Sequence, residues 1–278
     1  MPPRRSRRRH VRPNVERVLQ SLRPDDVVVD VGGWAQPFAR ANFIVDLMPY
    51  ETRGVFGSLG PGPERFSADT WLQTDICVSR LPFADKSVDF LICSHTLEDI
   101  RNPIWLCQEI NRVAKRGYIE VPSRRMESIR NLEHRGYPGY YHHRWLVEVG
   151  RHDVIFRFKT PLMSSSWRFT FPKSYLRALK GEDRVSWLFW EGKFRYHEVI
   201  QISEDKVAEE LEAFVRTFDV YPDWRYALER ARPRPRLRVK QFLKRTKRFR
   251  PLADRLLGRQ ILMDEEQLWG SLPDHQSK

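Results

Sequence analysis

Apolar residues along this chain alternate between short continuous runs and longer stretches of helical period. Residues 15–22 carry apolar side chains at helical spacing, and DVVVDV (26–31) then forms a β-branched run closed by glycines. Such a run fits a strand buried on both faces. FIVDL (43–47), VDFLIC (88–93) and GYIEV (117–121) repeat the signature, TWLQTD (70–75) is a shorter version, and IWLCQEINRVA (104–114) has helical spacing. Alternation of this kind predicts an α/β fold, a mostly parallel sheet with flanking helices and right-handed crossovers. After Pro122 the pattern changes. Residues 144–149 and 154–159 flank GRHD, and 187–190 and 194–202 flank EGK, so two C-terminal β-hairpins are expected. KVAEELEAFVRTF (206–218) predicts an amphipathic helix started by Ser203 and Glu204.

The alternation ARPRPRLR (231–238) reads as an extended linker and sets the boundary of a domain spanning 13–230, with a first half to 122 and a second from 123. The chain has 278 residues and a formal net charge of +13. That charge is uneven. Residues 1–12 hold six arginines and no acid, and 230–259 hold thirteen basic residues against Asp254, which leaves all other residues together at −5. A nucleic acid gripped along the whole surface is therefore disfavoured. Residues 1–12 read as a disordered basic arm. Beyond the linker, 231–278 is expected to be a basic helical extension with Val239, Phe242, Leu243 and Phe249 on one face. It could lie on an anionic membrane, meet a partner or nucleic acid, or pack on its own domain, which is the globular norm.

Three cysteines without a CxxC pair predict reduced thiols in a cytoplasmic protein. No window is apolar enough for a membrane span, and the basic start lacks the apolar core of a secretory signal.

In an open parallel sheet, ligands sit beyond the carboxyl ends of the strands near the switch in strand order. The first strand ends in Asp30 followed by Gly32 and Gly33, whose missing Cβ atoms would let a ligand approach the backbone. The second ends in Asp46, able to accept from a ribose diol. Asp75 ends the third run, and Cys93-Ser94-His95 ends the fourth.

This set resembles the class I S-adenosylmethionine-dependent methyltransferases, in particular the type 11 group, and so implies their Rossmann-like fold. The most specific stretches are LPFADKSVDFLICSHTLEDIRNP (81–103) and EINRVAKRGYIEVPS (109–123). The resemblance implies S-adenosyl-L-methionine as cofactor. It implies that Asp30 with the Gly32-Gly33 backbone holds the methionine part and that Asp46 binds the ribose. Asp75 and the Ile76 amide would then read adenine, with Ser94 and His95 lining the methionine and acceptor side. The first half of the domain becomes the cofactor half and the second the acceptor half. One departure stands out: the usual D-x-G-x-G-x-G loop is here DVGGWAQ (30–36), and only 32–42 separate the first two strands, interrupted by Pro37. The first crossover helix should be truncated or irregular.

Each acid has a plainer reading as a helix cap. Asp85 and Asp89 are expected to shape the turn before the fourth strand, and Glu98 and Asp99 to begin a helix. Methyl transfer is a direct displacement that depends on alignment, with a base only where the acceptor must lose a proton. His95 is the first candidate base and His142 or His143 the second; for each, structural packing is the competing role. His134, His142, His143 and His152 show no zinc-ligand spacing, so no metal site is expected. Tyr137, Tyr140, Tyr141, Trp145, Trp167, Phe169, Trp187 and Trp190 would wall an acceptor pocket for a small molecule or saccharide, or fill a core. An RNA-directed methyltransferase and a non-catalytic cofactor-binding module remain as alternatives. A nicotinamide dehydrogenase is weaker, because no G-x-G-x-x-G opens the first helix.

Overall fold

The computed structural model describes residues 13–222 and Trp224. The N-terminal arm, the Arg/Pro linker and the basic helix expected after it lie outside the described residues. The described residues up to Val220 form one compact unit.

The buried runs become β1 (Val28–Val31), β2 (Phe43–Asp46), β3 (Trp71–Gln73), β4 (Val88–Ser94) and β5 (Ala114–Pro122), joined at one edge by β8 (Val185–Glu191). Their order is β3-β2-β1-β4-β5-β8, with all pairs parallel except β5 with β8. The sheet is thus the expected Rossmann-like one. Strand order reverses between β1 and β4, which opens the carboxyl edge there for a ligand.

Both faces of this sheet are covered, as near-continuous apolar strands require. Along β4, Phe90 and Ile92 turn to one side and meet Val15 and Val18 of α1 (Pro13–Ser21). Leu91 and Cys93 turn to the other and meet Leu106, Cys107, Ile110 and Val113 of α2 (Pro103–Val113). Helix α2 starts where Asn102 accepts from the Trp105 N–H and Pro103 occupies the first turn. Glu98 and Asp99 therefore do not start it; they lie in a turn just after β4, and Glu98 is buried at 1% exposure.

Between β1 and β2 the chain forms no helix. Residues 32–42 run irregularly, tied by the Phe38–Leu59 bridge and by the Asn42 N–H donating to Val28 O. The short crossover expected from Pro37 is what the structure contains.

The second half holds a three-stranded sheet in the order β6-β7-β9, built from β6 (Trp145–Val149), β7 (Asp153–Phe158) and β9 (Arg195–Glu198). Strands β6 and β7 form the expected hairpin. The EGK hairpin does not form: β8 pairs antiparallel with β5, whereas β9 pairs parallel with β7. Asn111 on α2 explains the diversion. Its amide donates to Phe194 O and its carbonyl accepts the Phe194 N–H, so the chain leaving β8 is clamped across α2. The turn signal marked the bend but not the partner of each strand. A short helix, α3 (Arg124–Glu127), follows β5, and α4 (Glu204–Arg216) starts with Ser203 accepting from the Lys206 N–H.

Candidate active site

The strand ends assemble the first layer of the site. Asp30 is buried, and its Oδ2 accepts the Phe38 N–H at 2.9 Å. Burial raises its pKa to about 7 against that hydrogen bond, helped by the charge of Asp46. Asp46 is also buried, with the Trp34 N–H on Oδ2 at 3.0 Å and the Met48 N–H on Oδ1 at 2.9 Å. Its pKa is raised by burial in spite of those bonds. Asp75 is more open. Its Oδ1 accepts the Cys77 N–H and its Oδ2 pairs with Arg101 at 2.9 Å, while Ile76 beside it is buried.

The two glycines stand where the chain packs closely against itself. Gly32 sits at φ +79°, and a Cβ there would run into the Thr96 side chain. At Gly33 a Cβ would collide with the Asp30 carboxylate. Their bareness lets β1 pack against the turn after β4 and lets Asp30 fold under its own loop.

Past β4, His95 adopts φ 54°, a left-handed conformation uncommon outside glycine. Its Nε2 lies 3.2 Å from Glu120 Oε1 and its Nδ1 3.5 Å from Glu98 Oε1. Burial opposes the imidazolium, but Glu120 and Glu98 outweigh it and lift the pKa to about 9. The two carboxylates thus favour the imidazolium form of His95. Glu120 is buried and is held at about 2: burial would raise it, but His95, Tyr118 and Asn14 lower it. Tyr118 and Asn14 donate to its Oε2 at 2.5 and 2.7 Å. Ser94 turns toward the α1 side of the sheet, where it lines a small cavity with Asn14, Phe38, Tyr118 and Glu120.

Glu98 is a candidate site residue that sequence reasoning missed. Both of its carboxylate oxygens are buried without a hydrogen-bond partner among the described residues. Two acids in the EDI segment looked like a helix start, and only the tertiary structure turns one of them inward. With the His95 ring 3.5 Å away but no hydrogen bond on either oxygen, this buried carboxylate can still take a donor, and leaving it without one costs free energy. The residues present thus fit S-adenosylmethionine in kind. Asp46 and Asp75 offer acceptors for ribose and adenine, and Glu98 offers one for the ammonium.

The histidines of YYHHR complete the mouth. His143 is buried, with Nδ1 2.7 Å from Glu127 Oε1 and Nε2 3.5 Å from Asp99 Oδ1. Burial opposes its charged form, but Glu127 raises the pKa on balance. Glu127 in turn receives a hydrogen bond from buried Lys159 at 2.5 Å. His142 faces the same Asp99 oxygen at 3.8 Å and Glu133 at 3.7 Å. His134 instead packs edge-on against Tyr141. Of the aromatic residues, Phe169 and Trp190 are core, and Trp145 packs on Phe156 and Phe158. Tyr140 and Tyr141 lie against the two histidines. A separate cavity of about 120 Å³ beside α4 is lined by Arg124 and Arg157, whose charges are met by Glu148 and Glu210.

Residues 60–119 match the family described as "Methyltransferase domain". That segment carries β3, β4, α2 and most of β5. No curated protein matches. Among solved structures, a SAM-dependent methyltransferase from Aquifex aeolicus matches at 19% identity and TM-score 0.30, over 40% of this chain and 65% of that one. An S-adenosylmethionine-dependent methyltransferase from Mesorhizobium loti matches at 15% identity and TM-score 0.30, over 53% of this chain and 62% of its own. The chain spans about half to two thirds of the length of the solved structures it matches. The family match and the sheet order support a Rossmann-like class I methyltransferase fold, and the match implies S-adenosylmethionine as cofactor.

Proposed function

We propose that the protein is a cytoplasmic S-adenosylmethionine-dependent methyltransferase that acts on a small-molecule or saccharide-type acceptor by direct displacement. The observation that carries this reading is the position of the family-matched segment, which supplies β4 and, in the turn after it at the carboxyl edge of the sheet, His95, Glu98 and Asp99. When bound, the cofactor supplies an electrophilic methyl group on a sulfonium. Asp46 would hold the ribose, Asp75 and the Ile76 amide the adenine edge, and Glu98 the ammonium. Asp30, Gly32, Gly33 and Ser94 shape the backbone around them. His95 balances the charge of Glu98 and Glu120 and keeps the turn after β4 in place. Any proton that leaves the acceptor falls to the group formed by Asp99, His142 and buried His143.

The charge of the mouth favours an uncharged acceptor. Glu98, Asp99, Glu127 and Glu133 gather there and outnumber Lys159 and His95, so a phosphate backbone would meet an excess of like charge. The cytoplasmic assignment rests on Cys77, Cys93 and Cys107 being unpaired. No helix among the described residues is long and apolar enough to cross a membrane.

Calorimetry with S-adenosylhomocysteine tests the cofactor site. One equivalent should bind, and Asp46→Ala and the milder Asp75→Asn should each weaken it at unchanged far-ultraviolet dichroism. No heat from the wild-type chain, and no competition by the methyl donor, would end the proposal. Metabolite extracts incubated with the donor should then yield a species heavier by one methyl in place of hydrogen; methylation confined to RNA would overturn the acceptor class.

A further inference from the structure

Asp99, His142 and His143 each offer one ligand atom within 4.8 Å of the others, although the residues come from two distant segments of the chain. Asp99 Oδ1 is 3.8 Å from His142 Nε2 and 3.5 Å from His143 Nε2. Three ligands about 2.0–2.2 Å from one ion stand roughly 2.9–3.4 Å apart, so a small side-chain rotation closes the set. Asp99 Oδ1 is buried and has no hydrogen-bond partner among the described residues.

The outer contacts point the same way. A metal-bound histidine usually donates its second ring N–H to a carboxylate, which fixes the tautomer and turns the other nitrogen to the ion. Glu127 stands 2.7 Å from His143 Nδ1 and is itself anchored by Lys159, and Glu133 faces His142 Nδ1 at 3.7 Å. Tyr140 and Tyr141 lie against the two rings and limit their rotation. His143 forms the floor at 6% side-chain exposure, whereas His142 at 46% and Asp99 at 37% leave one side open.

We infer that Asp99, His142 and His143 form a binding site for a divalent first-row transition-metal ion. Two imidazoles and one carboxylate suit zinc, iron, cobalt or manganese in the divalent state, not calcium or magnesium, which prefer oxygen throughout. Three protein ligands and an exposed side leave coordination positions for water or a substrate oxygen. The ion would take an acceptor hydroxyl oxygen and make its proton easier to lose, to water on the exposed side, since its three ligands could no longer accept it. That last role rests on the methyltransferase reading; the metal site does not.

Divalent cobalt is the probe. The untagged full chain, stripped with chelator, should bind one equivalent of Co²⁺ with visible absorption bands that Zn²⁺ displaces. His142→Ala, at a half-exposed position, and Asp99→Asn should each weaken binding by about tenfold or more, while His134→Ala and His152→Ala leave it unchanged. Absence of stoichiometric binding by the wild-type chain, or undiminished affinity in both His142→Ala and Asp99→Asn, would overturn the site. S-adenosylhomocysteine calorimetry on the same preparation separates the two claims. Cofactor heat without cobalt bands sinks the metal site alone, and cobalt bands without cofactor heat sink the methyltransferase reading alone.

Discussion

At the tips of β1 and β2, Asp30 and Asp46 accept backbone N–H groups from Phe38, Trp34 and Met48, whereas just past β4 both Glu98 oxygens and Asp99 Oδ1 are buried without a hydrogen bond. Both regions are rich in acid and lie at the carboxyl edge of one sheet. They differ in what they ask of a ligand. The first uses its polar atoms to hold an irregular crossover that has no helix to support it. The second leaves acceptors unmet in a low-dielectric setting, where an unpaired group is costly and a donor or cation is correspondingly welcome. A site can therefore be built from a satisfied frame and an unsatisfied mouth, and the two should respond differently to substitution.

The largest expected effect is in the frame. Gly32→Ala combines a positive φ with a collision against Thr96, and should cost roughly 3–5 kcal/mol of stability, measured as a shifted denaturant midpoint. Gly32→Ala with Thr96→Ala should recover only part of that loss, because the backbone strain remains.

Asp30→Asn should act in the opposite direction and depend on pH. The folded pKa of Asp30 lies above its unfolded value, so the native state loses stability as pH climbs from about 3.8 to about 7 and carries a constant penalty above that. The amide escapes this penalty and can still accept the Phe38 N–H. Stabilisation of up to roughly 4 kcal/mol is expected at pH 8 and almost none at pH 3.5. Equal effects at both values would show that Asp30 is an ordinary ionised carboxylate.

The mouth should also lose stability as pH rises, but in a higher window. His95 has a folded pKa of about 9, so its stabilisation is complete below its unfolded value near 6.5 and fades as pH rises through 9. With the ring about one third exposed, solvent screening reduces the effect to about 1–2 kcal/mol. The difference between wild type and His95→Gln in thermal unfolding should shrink between pH 7 and pH 10.

Arg101→Ala should be nearly silent for stability, within about 0.5 kcal/mol, because its pair with Asp75 is exposed. If Asp75 serves the cofactor, the same change should alter S-adenosylhomocysteine affinity. A stability loss with unchanged affinity would move Asp75 from the mouth to the frame.

The periodicity of the chain by itself determined β1, β2, β4, β5, α1, α2 and α4, because a strand buried on both faces and a one-sided helix must write those patterns into neighbouring residues. It also signalled the missing crossover helix, since eleven residues containing Pro37 leave little room for one. Pairings between distant segments were left to the tertiary structure. Whether β8 and β9 meet each other or separate sheets depends on Asn111, some eighty residues earlier, and no local pattern contains that choice. The same holds for the site. Asp46 and Asp75 were legible as strand-end acids, but the inward turn of Glu98, the favoured imidazolium form of His95 and the meeting of Asp99 with His142 and His143 are decided by burial and proximity, which only the folded chain supplies.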